Sequence, residues 1–244
     1  MTDFKSFYDK LRASVKENLP KTELDERKAE QFYILCDCLI EQNKKINLTA
    51  ITDIDSIIVK HIVDSVAVID YIPENSRVID VGCGGGFPTL PIAIMRADVH
   101  ITALDSTAKK LNFVECCSEK CGLSNVETLN IRAEEASKLE QYRESYDIAV
   151  SRAVARLNIL SELCIPFVKI GGEMLALKGN SSKEEFEEAK NAFFKLGASK
   201  TELILYSVKF GQESLERGIV RTKKTASTSA KYPRQFSKIK KAPL

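Results

Sequence analysis

The 244-residue chain has no tryptophan, three methionines and only two histidines, His61 and His100. That scarcity leaves little material for a histidine-built zinc centre. Neither histidine stands at a zinc-like spacing from the cysteines, although Cys116, Cys117 and Cys121 share one predicted helix. No metal is expected. The seven cysteines are odd in number and lack a regular pairing pattern, which excludes a secreted disulfide scaffold and makes reduced thiols the expected state. No segment approaches the roughly 18 consecutive apolar residues of a membrane span. Asp3, Lys5, Asp9, Lys10 and Arg12 interrupt the N-terminal apolar residues, unlike a secretory leader. The expectation is a cytoplasmic protein with no membrane attachment.

Acidic residues are missing from one place in particular. From Arg221 to Leu244 there are eight Lys/Arg and no Asp/Glu, so the rest of the chain is net negative although the whole carries +2. Composition leaves two readings open for such a tail, a solvated segment or a grip on a polyanion.

What is present is a core-forming sequence, 44% hydrophobic, whose length fits one large domain with an appendage. Residues 1–75 read as helical. Phe32, Leu35, Cys36, Leu39 and Ile40 recur at spacings of three and four, and a second apolar stripe runs through Ile58, Ile62, Val66 and Ile69. Asn47 to Ile51 reads as a loop between helices. From Arg77 onward short β-type runs alternate with helical ones: Val78 to Val81, Val99 to Leu104, Val126 to Ile131, Tyr146 to Val150, Glu173 to Leu177, Leu203 to Val208 and Gly218 to Arg221. Alternation of this kind predicts a mostly parallel seven-stranded α/β sheet with helices on both faces. The last two strands lack an intervening helix, which predicts an antiparallel pair at the edge. The expected segments are a helical extension (1–75) packed on a core (76–222), then a basic tail (223–244). Lys223 to Lys231, rich in Thr and Ser, reads as a flexible stretch.

The chemistry concentrates at residues 77 to 91. Four glycines occur in the five positions Gly82-Cys-Gly84-Gly85-Gly86, directly after the strand that Asp80 closes. Glycine can turn with φ > 0 and lets a backbone approach a ligand, so this loop reads as a nucleotide-type site. Asp105 ends the next strand 19 residues after Gly86, a spacing suited to a carboxylate that holds ribose hydroxyls. Two details narrow the ligand. Phe87 stands where the sixth position of the dinucleotide fingerprint takes Gly or Ala, and Asp80 beside the turn suits a cationic amino-acid end better than a pyrophosphate. S-adenosylmethionine has that ammonium group and no phosphate. Asp80 has a second reading as a turn-capping carboxylate. Ala133 and Glu134 follow the third strand, where the crevice is expected to hold an adenine, although Glu134 taken alone reads first as an acid in the first turn of a helix. Arg152 ends the fourth, as a phosphate or base contact or as part of an ion pair.

Asn47-Leu-Thr, His61-Ile-Val-Asp64-Ser65, Asp80-Val-Gly-Cys-Gly-Gly-Gly-Phe-Pro, Leu104-Asp-Ser, Arg132-Ala-Glu134, Ser151-Arg-Ala, Tyr232-Pro-Arg and Pro243-Leu244 occur in that order. Together they resemble the bacterial ribosomal small-subunit methyltransferase G family, also called glucose-inhibited division protein B. The resemblance runs from about residue 30 to the C-terminus. It implies a Rossmann-like class I fold and transfer of a methyl group from S-adenosylmethionine to N7 of one guanosine of 16S rRNA near the decoding centre. It implies Gly82 and Phe87 on the cofactor, Asp105 on its ribose, Ala133 and Glu134 around its adenine and Arg152 at the mouth shared with substrate. With the residue-level reading of Asp80, Gly84 and Gly86, these nine make up the expected cofactor site. Thr89 and Gln235-Phe236-Ser237 depart from the family pattern.

Guanine N7 carries a lone pair and attacks without first losing a proton, so no catalytic base is expected. His61 reads as a packing or capping residue and His100 as a structural one. The expected partner is 16S rRNA or the small ribosomal subunit, gripped through the tail and Lys109-Lys110 by a monomer. Three rivals share parts of this pattern: a small-molecule methyltransferase, a nicotinamide-dependent oxidoreductase and an RNA-binding assembly factor that keeps a vestigial cofactor fold.

Overall fold

The computed structural model describes residues 3–244. Its centre is one sheet of seven strands: β1 (Arg77–Val81), β2 (His100–Leu104), β3 (Val126–Leu129), β4 (Tyr146–Arg152), β5 (Val168–Lys178), β6 (Ala198–Phe210) and β7 (Glu213–Lys224). Their spatial order is β3-β2-β1-β4-β5-β7-β6. The first five pair in parallel, and β7 lies antiparallel between β5 and β6. β6 and β7 pair as the expected antiparallel neighbours, with the turn at Gly211.

In the central strands β1 and β2 every residue after the first is buried, which is why they read as nearly continuous apolar runs. One face is covered by α1 (Phe4–Asn18), α2 (Glu26–Asn43), α5 (Thr89–Met95) and α6 (Ala108–Lys120), and by a helical run in three parts. That run begins as α3 (Ile54–Ile57), widens into a π-helical stretch (Ile58–Val63) and ends as α4 (Asp64–Val66). Phe7, Leu11, Phe32 and Leu35 from these N-terminal helices share one apolar cluster with Val78 and Ile101 of the sheet. The other face carries α8 (Leu157–Cys164), α9 (Ser182–Lys195) and α10 (Phe236–Lys241), with the short α7 (Ala133–Ala136) at its rim.

The register brings the carboxyl ends of the parallel strands level: Asp80 lies opposite Ala103 on one side and Val150 on the other. In a doubly wound sheet the crevice opens above such ends, at the point where chain order reverses direction between neighbours. Here that point is between β1 and β4.

The stretch Lys223 to Lys231, expected to be flexible, is tied down instead. Lys224, the last residue of β7, is buried and donates to Glu144 Oε1 at 2.8 Å and to the carbonyl of Ile165. Glu144 also accepts from the N–H of Thr228, and the Arg143 guanidinium donates to the carbonyls of Thr228, Ser229 and Tyr232. A run of Thr and Ser gives no local sign of this, because the partners lie about 80 residues upstream. The tail's charge is likewise partly internal: Arg221 pairs with Glu173 and Glu202, Lys224 with Glu144 and Arg234 with Glu162. Lys231, Lys238, Lys240 and Lys241 are the exposed cations that remain after β7.

Candidate functional site

A cavity of about 500 Å³ opens at the carboxyl ends of β1 to β4. Of the nine expected residues, Gly82, Gly84, Phe87, Asp105, Ala133, Glu134 and Arg152 line it. Asp80 and Gly86 are not on its wall, because the chain folds over both. Gly82 and Gly86 need to be glycine for separate reasons. Both have positive φ, +76° and +82°, and a Cβ would stand 2.6 Å from Val154 Cγ2 in the first case and from Leu90 Cδ1 in the second. The loop thus turns inward so tightly that two neighbouring segments pack on its backbone.

Hydrogen bonding decides what the loop can hold. The N–H groups of Gly82 and Cys83 donate to the carbonyl of Leu104, those of Gly86 and Phe87 to that of Cys83, and that of Gly84 to Asp105 Oδ2. At the start of α5, Thr89 N–H donates to Asp80 Oδ2, Leu90 N–H to the carbonyl of Gly86, and Pro88 and Pro91 have no N–H to offer. Among the described residues only Gly85 N–H is left without an acceptor in this loop. A phosphate cradle needs several free amides aimed at one point, so this loop does not make one.

Asp105 is prepared differently. Its Oδ2 accepts from Gly84 N–H at 3.1 Å and its Oδ1 from Thr107 N–H at 2.8 Å, which leaves a lone pair on each oxygen for a pair of hydroxyls. At the end of β3, Ala133 and Glu134 begin α7, and their N–H groups have no acceptor among the described residues. Ile131, Ala133 and Leu163 supply apolar wall there.

Beneath the loop Asp80 is fully buried. Its Oδ2 accepts from Thr89 Oγ1 at 2.6 Å as well as from Thr89 N–H, while its Oδ1 has no partner. Burial pushes this carboxyl up to about 7, against the pull of the Thr89 hydrogen bonds. Thr89, a departure in the sequence pattern, is therefore the residue that satisfies half of this carboxylate.

The β4 end of the crevice is closed by the N-terminal segment. Asn43 folds the loop after α2 back on itself: its Oδ1 accepts from the N–H groups of Leu48 and Thr49, and its Nδ2 donates to the carbonyl of Thr49. Leu48 and Thr49 thereby reach the cavity. Arg152 donates through Nη1 to the carbonyl of Lys60 at 2.8 Å and to Asp64 Oδ2 at 3.3 Å. Asp64, buried on α4, also accepts from Arg217 Nε at 2.8 Å. Arg152 Nη2 lies 3.2 Å from His61 Nδ1, and His61 Nε2 lies 2.8 Å from Thr49 Oγ1. A guanidinium cannot accept, so Nδ1 is the acceptor and Nε2 carries the proton that is donated to Thr49. Burial, with Arg152 adding to it, holds His61 down to about 4, which agrees with a neutral ring. The ring stacks on Phe87 at 4.8 Å between centroids, and the Arg152 guanidinium lies over the same Phe87 at 5.6 Å. Lys60 and His61 both sit in the π-helical stretch, whose widened turn exposes backbone and side chain to this network.

Over residues 28–215 the sequence matches the family described as rRNA small subunit methyltransferase G. Two proteins named ribosomal RNA small subunit methyltransferase G are close in sequence. That of Clostridium novyi (strain NT) is 42% identical over 246 residues, spanning 100% of both chains. That of Clostridium perfringens (strain 13) is 43% identical over 224 residues, or 91% of this chain and 93% of the relative. The chain belongs to the rRNA small subunit methyltransferase G family. A solved S-adenosylmethionine-dependent O-methyltransferase of Thermotoga maritima superposes with a TM-score of 0.51 at 16% identity, covering 78% of this chain and 73% of that one. The fold is the Rossmann-like class I methyltransferase fold with added N-terminal helices.

For a family member, the structure adds residues that the sequence reading did not place at the site. Thr49 and Asp64 entered that reading only as parts of motifs, and His61 besides as a packing or capping residue, although it lies on the cavity wall. Their signal was the shared order of motifs, not chemistry. Phe236 also lines the cavity, with no sequence signal beyond its departure from the family pattern. The other histidine, His100, is exposed at the start of β2, at the opposite end of the strand from the cavity. Among the described residues no group of histidine, cysteine and acidic side chains could hold a metal, and all seven cysteines are free.

Proposed function

We propose that this S-adenosylmethionine-dependent ribosomal RNA methyltransferase methylates N7 of one guanosine of 16S rRNA near the decoding centre, by in-line attack without a general base. The observation that carries the reading is the hydrogen-bond pattern along the crevice. A carboxylate has two free lone pairs at β2, unengaged amides stand at β3, and the glycine loop has no phosphate cradle. This donor set fits S-adenosylmethionine and disfavours a dinucleotide.

In this reading Asp105 holds the two ribose hydroxyls, and the N–H groups of Ala133 and Glu134 face the adenine ring nitrogens. Gly82, Gly84 and Phe87 form the bed of the amino-acid end, and Gly86 turns the loop beneath it. Asp80 acts from beneath this bed: its unpartnered Oδ1 favours a cation above the loop. Bound there, the cofactor supplies an electrophilic sulfonium methyl. The protein's part is to hold the guanine in line with it and to keep water out.

Two features support chemistry without a base. Both His61 nitrogens are engaged, one by Arg152 and one by Thr49. Arg152 is turned inward onto Lys60, His61 and Asp64, which suits a positioning residue of the substrate mouth better than a phosphate clamp. RNA contacts then fall to the exposed Lys231, Lys238, Lys240 and Lys241 and to Lys109 and Lys110. The protein acts as a cytoplasmic monomer on rRNA or the small subunit, with residues 1–75 as helical extension, 76–222 as catalytic core and 223–244 as tail.

The test is incubation with radiolabelled S-adenosylmethionine and under-methylated small subunits or naked 16S rRNA, followed by mapping of the modified nucleotide. Label at one guanosine N7 is expected, with RNA affinity falling steeply as salt rises. Label on another atom, or on a small metabolite and not on RNA, would overturn the assignment.

A further inference from the structure

We propose that the C-terminal tail builds the adenine end of the cofactor cleft, with the Phe236 ring lying against the adenine face. This rests on the S-adenosylmethionine reading above and deepens it. The sheet order β3-β2-β1-β4 fixes the order of groups along the crevice: Ala133 and Glu134, then Asp105, then the glycine loop, then Arg152. A ligand whose ribose sits at Asp105 and whose amino-acid end lies over the glycine loop must put its base beyond Asp105, at the β3 end. Phe236 is at that end. It lines the cavity together with Ile131, Ala133 and Leu163, and it borders an adjoining groove with Arg132 and Glu134.

The ring is exposed yet held in place. Phe236 is 37% exposed, whereas Tyr232 before it and Ile239 after it are buried in the cluster that α8 and α9 share with the sheet. Two residues upstream, the Arg234 guanidinium grips the fully buried Glu162 of α8 through Nε at 2.9 Å and Nη2 at 2.5 Å, and Arg234 N–H donates to the same carboxylate at 2.8 Å. The chain on either side of Phe236 is thus pinned, and an aromatic face is presented to the cavity at little ordering cost on binding. A flat purine is the ligand that an exposed, fixed ring beside apolar wall and free amides accommodates best. With its N7 aligned at the Arg152 end, the target base would lie at the opposite end of the crevice from this surface. In consequence the tail is part of the cofactor site, and its exposed Lys238, Lys240 and Lys241 follow directly on the adenine wall.

Calorimetric titration of the full chain with S-adenosylhomocysteine tests this, using wild type, Phe236→Ala, Phe236→Leu, Phe236→Tyr and Gly82→Val. Loss of one base stack predicts affinity about ten- to a hundredfold weaker in Phe236→Ala, a smaller loss in Phe236→Leu and retention in Phe236→Tyr. Adenosine alone should lose affinity in the same order. Thermal melts should leave the Phe236 variants folded, since the ring is outside the core; if Phe236→Ala does melt early, Phe236→Leu carries the comparison. Wild-type affinity in both Phe236→Ala and Phe236→Leu overturns the inference, and weakened RNA retention in the same variants would assign the ring to an RNA base instead. Gly82→Val separates the two levels: it should abolish binding, and if it binds normally the cofactor cleft itself has been misassigned.

Discussion

The two ends of the chain close the two ends of the crevice by opposite physics. At the β4 end, residues from the N-terminal segment lock polar groups together: the Asp64 carboxylate between Arg152 and Arg217, the neutral His61 ring between Arg152 and Thr49. At the β3 end the C-terminal tail offers an aromatic face, and its charged pair, Arg234 with Glu162, stands behind the wall and not on it. Interlocking hydrogen bonds fix geometry at a cost in desolvation, whereas an apolar face gains affinity from contact area and tolerates small shifts. A methyl transfer needs alignment at one end and grip at the other, and the molecule places each kind of interaction accordingly.

The largest effect should come from the pair behind the aromatic wall, and it should be asymmetric. Glu162 has no exposed surface, whereas the Arg234 side chain is 25% exposed. Arg234→Ala strands a carboxylate in the interior and is expected to cost about 3–5 kcal/mol of folding stability, as breaking a buried pair does. Glu162→Ala leaves a guanidinium that can turn to water and should cost less. Urea midpoints of both variants measure this, and equal losses would mean that the carboxylate is not the buried partner the structure makes it.

Arg152→Lys tests the other end. One ammonium cannot reach Lys60, Asp64 and His61 together or lie flat over Phe87. Misalignment at the reacting end is expected to slow single-turnover methylation about 100-fold. S-adenosylhomocysteine affinity should stay within about threefold, the signature of a group that acts on the transition state and not on ground-state binding. If Arg152→Lys lost cofactor affinity while Phe236→Ala lost only rate, the roles of the two ends would be reversed.

Much of this division was legible before the structure, for identifiable reasons. Strand-forming apolar runs and the glycine loop are local signals, so the sheet and the positions of Asp105, Ala133 and Glu134 at its carboxyl ends could be read from spacing, whereas the case for an adenine contact at Ala133 and Glu134 came with the family resemblance. The edge pairing of β6 and β7 followed from a missing helix, but the insertion of β7 beside β5 is a non-local choice that no local pattern encodes. Residues whose roles depend on distant partners stayed hidden. His61 looks like a packing residue on an apolar helix stripe until Arg152 and Thr49 are brought to its two nitrogens. Lys224, Thr228 and Arg234 look like a solvated basic tail until Glu144, Arg143 and Glu162 are placed beneath them.

The smallest effect concerns protons, and it compares the half-buried His61, which stacks on Phe87, with the fully buried Asp80 beneath the loop. His61 is held down to about 4 from 6.5 by burial and Arg152, so the unfolded chain takes up a proton first and stability is lost as pH falls from about 6.5 toward 4. Asp80 is raised to about 7 from 3.8 by burial, so its contribution runs the other way and stability is lost as pH rises from about 3.8 toward 7. The two slopes oppose each other across the shared window, each limited to about 1.4 kcal/mol per pH unit. Single substitutions should unmask them. Relative to wild type, His61→Gln should gain stability as pH drops from 6.5 to 4, and Asp80→Asn should gain it as pH climbs from 4 to 7. Chemical denaturation at half-unit pH steps gives both difference curves. A His61→Gln difference curve that rises with pH would remove the neutral His61 ring that Arg152 and Thr49 require, and with it the locked end of the crevice.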